Sequence, residues 1–462
     1  MSNSGQKERF SGTSPEYEPY DEYKKIESEL VGKIPSHWDL TVIKRCYEVQ
    51  VGKALQTEQE APNEEKLPYL KSRHVGKDGG FELDDLPQMW FSPDERNKYT
   101  LQQGDLLVLE GGDVGRGGVW PGSDREILYQ NAINRLRPRK DNNSEYLYYW
   151  VQWLKEQGYI DVLCNKATIP HYTVETVSNT PLLVPTPEEQ ASIVSFLNYH
   201  TSRIRELIKK KKKLLGLLDD RREAAITHAV MKGIDQDTEM VDSGVDWVGE
   251  IPAHWDSVRI GSLIEEVKHP VEVEEDEVYQ EIGIRSHGKG IFHKEPVTGG
   301  EIGSKNVFWV VENALIFNIV FAWEGAVALT SEDEEGMIAS HRFPMFVPRD
   351  EDISLKYLKY FFTHGYGQGI LDWNSPGAAG RNRTLNRGAM LSEEFWMPPS
   401  DEQHRIAQYI SNVVTRIDEL SDTIQRGVEL LNEKRQSLIT QAVSGEIDLR
   451  GWEPSDESEQ FV

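Results

Sequence analysis

The sequence predicts an α+β protein with two globular mixed α/β modules joined by two long antiparallel coiled-coil helices, arranged as an internal pseudo-twofold repeat. Three observations support this architecture. A long helical pattern occurs twice at an offset of 213 residues, shown by Gln190 and Gln403. The phrase Gly-x-Ile-Pro-x-His-Trp-Asp also occurs twice, at 32–39 and 249–256. About 150 residues of mixed pattern separate each phrase from the next helix, which is a typical size for one domain.

The two helices are predicted over 185–235 and 398–449. Apolar residues recur at steps of three and four, as in the seam of a coiled coil. The predicted seam comprises Ile193, Leu197, Ile204, Leu207, Leu214, Leu218 and Ile226 in the first copy, and Ile406, Ile410, Val413, Ile417, Leu420, Ile424, Val428, Leu431 and Leu438 in the second. Proline followed by acidic residues marks both N-termini. A narrow seam needs a partner, which the other copy supplies; the alternative is two helices packed on separate domains.

The globular modules are predicted over 32–184 and 236–397. A flexible tail is expected over 1–31 and an acidic tail over 450–462. Apolar β-prone runs at 104–109 and 313–321 lie beside turn residues, and 145–153 and 355–362 have the pattern of short buried helices. The modules resemble each other in plan but hardly in residue identity. This contrast indicates a repeated scaffold that carries two different functional surfaces.

The composition limits the classes of function. A net charge of −26 argues against a nucleic-acid partner, because phosphate contacts need Lys and Arg. Local basic patches or a basic partner subunit weaken this objection, and an acidic surface is also expected of a protein from a high-salt cytoplasm. Cys46 and Cys164 form neither a disulfide framework nor a metal motif. With no apolar run of membrane-spanning length and no visible signal peptide, a cytoplasmic location is expected.

Taken in order, these phrases resemble the specificity subunits of type I restriction-modification systems. The resemblance covers nearly the whole chain. It rests on the lead-in at 242–255, its shorter echo at 32–39, the Pro-Pro-x-x-Glu-Gln-x-x-Ile type of helix start, and the closing phrase at 438–448. The first half departs from the family pattern at Leu30, where the second half has Trp247, and at Pro187, which is shifted from the usual double proline.

The resemblance implies a non-catalytic subunit with two target recognition domains, each reading one half of a bipartite, asymmetric DNA site. It also implies that the coiled coil sets the spacing and docks two methylation subunits and two restriction subunits. S-adenosylmethionine, ATP and magnesium would belong to those partners, and no cofactor is expected in this chain. The assembled complex would be a DNA adenine methyltransferase and an ATP-dependent endonuclease. A rigid helix pair is independently suited to hold two modules about one turn of DNA apart.

Side chains that contact DNA are predicted on polar loops, because base reading needs donors and acceptors that reach the major groove. In the first module they are Lys71, Arg73, His74, Arg116, Asn134, Arg135, Lys166, Thr168, His171 and Tyr172. In the second they are Arg285, His287, Lys289, His341, Arg342, Arg381, Asn382, Arg383, Asn386 and Arg387. A solvated surface loop is the alternative for 380–387, and carboxylate pairing is the alternative for Arg135 and Arg342. The lysine run at 209–213 is interpreted as a solvated face or a partner contact.

Two rival classes are a self-contained enzyme and a coiled-coil adaptor without DNA specificity. An amino-methyltransferase needs Asn/Asp-Pro-Pro-aromatic, but Pro399 is followed by Ser400. A motor needs a glycine loop that ends in Gly-Lys-Ser/Thr, which 111–118 lacks. The His-Trp pairs of the repeated phrase are interpreted as structural anchors rather than catalytic groups. Two divergent globular modules favour DNA reading over the adaptor.

Overall fold

The computed structural model describes residues 17–28, 30–164, 171–235, 237–246, 248–377 and 383–454. The chain divides into two compact units. Unit 1 combines the chain up to Lys210 with the chain from Gly427 onward, and unit 2 comprises Lys211–Arg426. Each unit therefore contains one globular module, the start of one long helix and the end of the other.

Unit 1 contains eleven strands among its described residues. They are β1 (Tyr23–Lys25), β2 (Lys33–Pro35), β3 (Asp39–Val42), β4 (Tyr47–Val51), β5 (Glu65–Leu70), β6 (Gln88–Phe91), β7 (Leu106–Leu109), β8 (Gly117–Val119), β9 (Leu128–Tyr129), β10 (Ile133–Pro138) and β11 (Pro181–Val184). The helices are α1 (Ile43–Cys46), α2 (Pro93–Tyr99), α3 (Ser144–Glu156), α4 (Tyr159–Cys164), α5 (Val174–Asn179) and the long α6 (Pro187–Lys232), which continues into unit 2.

Unit 2 repeats this plan. Its strands are β12 (Met240–Asp242), β13 (Glu250–Pro252), β14 (Asp256–Arg259), β15 (Ile264–Val267), β16 (Val278–Tyr279), β17 (Ile282–Ile284), β18 (Ile291–His293), β19 (Val297–Thr298), β20 (Val307–Trp309), β21 (Leu315–Phe317), β22 (Val327–Leu329), β23 (Ile338–Ser340), β24 (Met345–Pro348) and β25 (Glu394–Met397). The helices are α7 (Ile260–Leu263), α8 (Gly299–Ile302), α9 (Leu355–Thr363), α10 (Gly365–Trp373), α11 (Arg387–Ser392) and the long α12 (Ser400–Val443), which ends in unit 1.

The centre of each unit is an antiparallel four-stranded sheet of the same topology. The strand order is β4-β10-β7-β8 in unit 1 and β15-β24-β21-β22 in unit 2. All four residues of β7 are buried, because its two faces pack on different cores. Leu106 and Val108 face the core that contains α3, whereas Leu107 and Leu109 face a second core around Trp120. This alternation follows the two-residue period of a strand.

The long helices pair antiparallel within each unit. In unit 1 the start of α6 shares a core with the end of α12, through residues such as Ile193, Ile204 and Leu438. In unit 2 the end of α6 shares a core with the start of α12, through Ile226 and Ile406. The predicted partnership of the two copies is thus confirmed inside each unit.

The predicted seam is wrong at two positions, one in each long helix. Ile410, Ile417 and Val428 are buried as expected. Leu214 and Leu420 are instead 45% and 46% exposed. A seam between only two helices covers a narrow stripe, so apolar side chains at its edge keep much of their surface in water.

Candidate nucleic-acid interface

The repeated His-Trp phrase fixes each module to the start of a long helix. In unit 1, His37 Nε2 donates to Glu189 Oε1 at 2.8 Å, and Trp38 Nε1 donates to the same oxygen at 3.4 Å. Burial raises the pKa of the Glu189 carboxyl, but hydrogen bonds from His37, the Thr186 amide and Trp38 together lower it below its ordinary value. Glu189 is therefore an ionised anchor for the phrase.

Unit 2 repeats this arrangement. His254 Nε2 and Trp255 Nε1 lie 2.7 and 3.3 Å from Glu402 Oε2. Both His-Trp pairs thus have carboxylate partners at equivalent helix positions. This accounts for the presence of Glu at 189 and 402 in two modules that otherwise differ.

The glutamine that follows each of these glutamates positions a globular helix. Gln190 Oε1 accepts from the Asn143 amide at 2.9 Å, and Gln403 Oε1 accepts from the Ser354 amide at 3.0 Å. Asn143 and Ser354 are the N-caps of α3 and α9, which cover the central sheets. The Glu-Gln pair therefore sets the placement of each sheet relative to its scaffold helix.

The predicted DNA-contacting segments of unit 1 meet at one end of its central sheet. The β7–β8 loop contacts the 3₁₀ turn at 72–74, since Arg116 Nη2 donates to the Ser72 carbonyl at 3.2 Å. The same loop contacts the segment before α5, since the Tyr172 amide donates to the Glu110 carbonyl at 2.7 Å. Three segments that are far apart in sequence thus form one surface.

The equivalent segments of unit 2 meet in the same way around the β21–β22 loop. The His287 amide donates to the Glu324 carbonyl at 2.8 Å, and the Leu385 amide donates to the Ile319 carbonyl at 2.8 Å. The Ile319 amide in turn donates to the Arg342 carbonyl at 3.0 Å. We call these two surfaces the loop ends of unit 1 and unit 2.

Exposed predicted residues are more numerous at the loop end of unit 2. They are Arg73 and His171 in unit 1, and Arg285, His287, Lys289, His341, Arg342 and Asn386 in unit 2. Within the described chain, no carboxylate lies within 4.0 Å of the cations of Arg285, Lys289 or Arg342. None of these three cations is therefore neutralised by a close carboxylate, although Arg285 Nη1 donates to the Ile291 carbonyl at 3.1 Å and its guanidinium lies 4.9 Å from the centre of the Phe292 ring. Lys71 is half-buried, with its Nζ 5.6 Å from the centre of the Tyr69 ring.

Four predicted contacts lie inside the fold, and their burial argues against a direct role at DNA. Asn134 is fully buried and donates to the Tyr172 carbonyl at 2.8 Å. Tyr172 is buried and shares a hydrogen bond with Thr180. Arg135 is 2% exposed and donates to Glu48 Oε1 at 2.5 Å, as the carboxylate-pairing alternative predicted.

His74, the fourth buried residue, is neutral. Burial lowers its pKa, and the nearby cations of Arg73 and Lys71 lower it further. Its Nδ1 accepts from the Lys71 amide at 3.0 Å, which stabilises the 3₁₀ turn. This histidine supports the loop that carries Lys71 and Arg73.

Three predicted arginines are paired with carboxylates. Arg116 lies 3.4 Å from Asp113, and Arg387 pairs with Glu266. Arg383 has the most contacts: its Nη2 donates to Asp372 Oδ1 at 2.6 Å, its Nε donates to the Ser375 carbonyl at 2.9 Å, and its guanidinium lies over the Trp323 ring. Arg383 therefore fixes the loop end, and Asn386 caps α11 beside it.

Lys166, Thr168, Arg381 and Asn382, like Trp247 of the lead-in phrase, lie outside the described residues.

Sequence reasoning missed Trp373, which is 84% exposed at the end of α10. It follows Asp372, the partner of Arg383, so it lies beside the loop end of unit 2. A signal was present in the sequence: Trp373 stands directly before the polar run 374–377, which contains Pro376 and Gly377 and is typical of a helix end.

Within the described chain, no group of three or more His, Cys, Asp or Glu residues is arranged to hold a metal ion. The helices described here also include none that is long and apolar enough to cross a membrane.

Comparison with known proteins agrees with this architecture. Residues 35–216 match the family of the type I restriction modification DNA specificity domain. The MjaIX and MjaVIII specificity subunits of type I restriction enzymes from Methanocaldococcus jannaschii are 23% and 22% identical over 251 and 214 residues. These matches cover 51% and 43% of this chain, and 53% and 49% of the relatives. The chain thus spans about half the length of the curated relatives it matches.

Solved structures share the fold. A chain from a structure described as the basis of complex assembly and conformational transition of the type I R-M system matches with a TM-score of 0.65 at 12% identity, covering 90% of this chain and all of the other. The HsdS subunit from Thermoanaerobacter tengcongensis matches with a TM-score of 0.54 at 14% identity, covering 90% and 98%. The matched domain, the related specificity subunits and the shared fold together make this chain similar to the DNA specificity subunits of type I restriction-modification systems.

Proposed function

We propose that this chain selects the DNA site for a type I restriction-modification complex, with each unit reading one half of a bipartite, asymmetric sequence. One observation carries the proposal. The two units repeat the same sheet order and the same Glu-Gln anchors, yet present different side chains on equivalent loops. A framework repeated this closely with divergent loops suits a protein that reads two different half-sites.

The chemistry of the loop end in unit 2 supports base reading. Arg285, Lys289 and Arg342 are exposed, and Arg and Lys are the side chains that most often donate to guanine O6 and N7 in the major groove. Arg383 holds the adjoining loop through Asp372 and Ser375. Because the loop is fixed, its exposed cations would meet the base edges of each DNA molecule in the same geometry. Discrimination between bases requires such a constant geometry.

The long helices are proposed to set the spacing between the half-sites and to dock two methylation and two restriction subunits. α6 has 46 residues and α12 has 44, so each is about 65–70 Å long. In this proposal the chain itself is non-catalytic. S-adenosylmethionine, ATP and magnesium act in the partner subunits, which carry out adenine methylation and ATP-dependent cleavage.

The test is to co-express the chain with type I methylation subunits from the same source and to sequence the methylated positions in the host DNA. A bipartite motif is the expected result. A variant with alanine at Arg285, Lys289 and Arg342 should lose specificity at one half-site only. A matched variant with alanine at three exposed scaffold lysines, Lys209, Lys210 and Lys212, should keep the motif.

Methylation that ignores sequence, or a chain that binds its partners while no motif is found, would favour the coiled-coil adaptor instead.

A further inference from the structure

A second group of cations lies in unit 1, in a cavity of about 200 Å³ that the reading loops do not line. The cavity is bounded by α3, by both long helices and by the turn at 77–78. Arg205 of α6, Arg435 of α12 and Lys77 of the turn contribute three positive charges to its lining. The two arginines come from antiparallel helices, so their guanidinium groups enter the cavity from different walls.

Neither arginine is neutralised by a close partner. No carboxylate in the part of the chain that the structure describes lies within 4.0 Å of Arg205 or Arg435. Asp78 and Glu156 also line the cavity, but Asp78 Oδ1 accepts from the Gly80 amide at 3.2 Å. Burial raises the pKa of Glu156, although Arg435 acts in the opposite direction. Counting all five groups as charged leaves the cavity with one net positive charge.

In unit 2, the positions equivalent to Arg205 and Arg435 hold residues of opposite charge. At the offset of 213 residues, Arg435 corresponds to Arg222 and Arg205 corresponds to Asp418. In unit 2, Arg222 forms an ion pair with Asp418 between the two long helices. Unit 1 therefore has two arginines where unit 2 has an arginine and an aspartate.

Two guanidinium groups that line one cavity repel each other, and pairing of the two helices does not require them. An oxyanion between them removes the repulsion and accepts hydrogen bonds from both, because guanidinium groups match phosphate oxygens in pairs. Tyr148 and Gln152 supply neutral polar groups on the α3 wall of the same cavity. From these observations we infer that Arg205, Arg435 and Lys77 form a binding site for a phosphate group.

The site takes a phosphate either from the backbone of DNA or from a free phosphate compound, since both offer the same oxygens. A backbone phosphate here is a sequence-independent contact, which positions DNA without reading it. The inference depends on the cavity and the repeat alone. It therefore survives if the chain proves not to select a DNA sequence.

The test uses the full chain and inorganic phosphate as the probe. Arg205→Asp recreates in unit 1 the ion pair found in unit 2, so this variant should fold normally and lose at least tenfold in phosphate affinity, measured by isothermal titration. Lys209→Asp makes the same charge change at an exposed position of the same helix and should bind phosphate like the parent chain. Arg435→Gln is a second variant that removes one guanidinium with a smaller change of charge.

For the parent chain and for Lys209→Asp, the midpoint of thermal unfolding should be higher in phosphate than in chloride at equal ionic strength. For Arg205→Asp and Arg435→Gln, the midpoint should be the same in both salts. Parent-like phosphate binding by Arg205→Asp and Arg435→Gln, or no phosphate binding by the parent chain, overturns the inference.

Duplex DNA of arbitrary sequence then identifies the source. If the ligand is backbone phosphate, Arg205→Asp weakens binding to all sequences alike, and the slope of log K against log salt becomes shallower by about 0.9 for one lost phosphate contact. If the ligand is a free phosphate compound, DNA binding by this variant matches that of the Lys209→Asp control. Both results retain the phosphate site and differ only in what occupies it.

Discussion

Replacement of Glu189 by alanine should destabilise unit 1 by about 3 kcal/mol. The carboxylate accepts from His37, Trp38 and the Thr186 amide. Trp38 is 0% exposed, so its indole N–H would lose its partner without gaining water, which costs about 1–3 kcal/mol. Loss of the contact with the Thr186 amide at the start of α6 adds about 1 kcal/mol, as for a lost helix cap. His37 is partly exposed and regains water, so its share is small.

Peptide-level hydrogen exchange of the full chain is the suitable measurement, because it reports on each unit separately. In Glu189→Ala, the peptide over 33–42 should exchange faster while the peptide over 250–259 remains unchanged. Glu402→Ala should give the reverse pattern. Glu188→Ala is the matched control, since Glu188 lies in the same first helical turn but is exposed. Equal effects of Glu188→Ala and Glu189→Ala would refute the anchoring role, because the change would then reflect only charge near the helix end.

The same carboxylate predicts a dependence on pH. The pKa of Glu189 in the folded chain lies below its ordinary value of about 4.3. Its contribution is therefore fully present above that ordinary value and is lost as the pH falls through the lower folded value. As the pH falls below the ordinary pKa of Glu189, the parent chain should lose stability more steeply than Glu189→Ala, as measured by urea unfolding. Parallel curves for the two proteins would contradict this assignment.

Three further predictions follow from local geometry. Gly445→Ala should destabilise unit 1 by about 2–4 kcal/mol in thermal unfolding, because φ is +74° and a Cβ would lie 2.6 Å from Pro35. Gly451→Ala is the control: φ is +70° but the space around it is open, so the free energy of unfolding should fall by only about 1 kcal/mol. Trp373→Ala should leave stability unchanged but weaken DNA binding by about 1–3 kcal/mol if the ring stacks on a base, as measured by titration of target duplex. Arg383→Ala should weaken recognition of one half-site indirectly, by about 1.5–3 kcal/mol, because the loop loses the hydrogen bonds of the guanidinium to Asp372 and Ser375; equal loss on every sequence would contradict this positioning role.

The duplicated framework is visible in the sequence because its determinants are local. Helix starts, apolar spacing and the His-Trp phrase each occupy a short stretch, and repetition of the stretch strengthens the signal. Edge positions such as Leu214 and Leu420 could not be separated from true seam positions. Their exposure depends on how much of the helix surface the partner covers, and heptad spacing does not contain that information.

The candidate site is less accessible to sequence reasoning because it depends on contacts between distant segments. In the sequence, Arg135 has the features of a base-reading residue. In the fold it pairs with Glu48, which lies 87 residues earlier in the chain. Arginine is a residue type that often contacts DNA, yet Arg383 and Arg116 are both paired with carboxylates. Loop polarity selected segments that the structure brings together at one end of each sheet, while the choice among their side chains required the fold.

The charge distribution explains how a chain with a net charge of −26 would be suited to the DNA binding proposed for it. Most of its surface repels phosphate, but at physiological salt this repulsion is screened beyond about 8 Å. Close to the loop end of unit 2, the unpaired cations of Arg285, Lys289 and Arg342 are therefore the dominant charges that DNA meets. Binding through the acidic faces is unfavourable, so in this proposal the acidic surface raises the ratio of specific to non-specific binding. An acidic chain with few, well-placed cations should consequently show weak affinity for random DNA, with a salt dependence shallower than that of a basic DNA-binding protein.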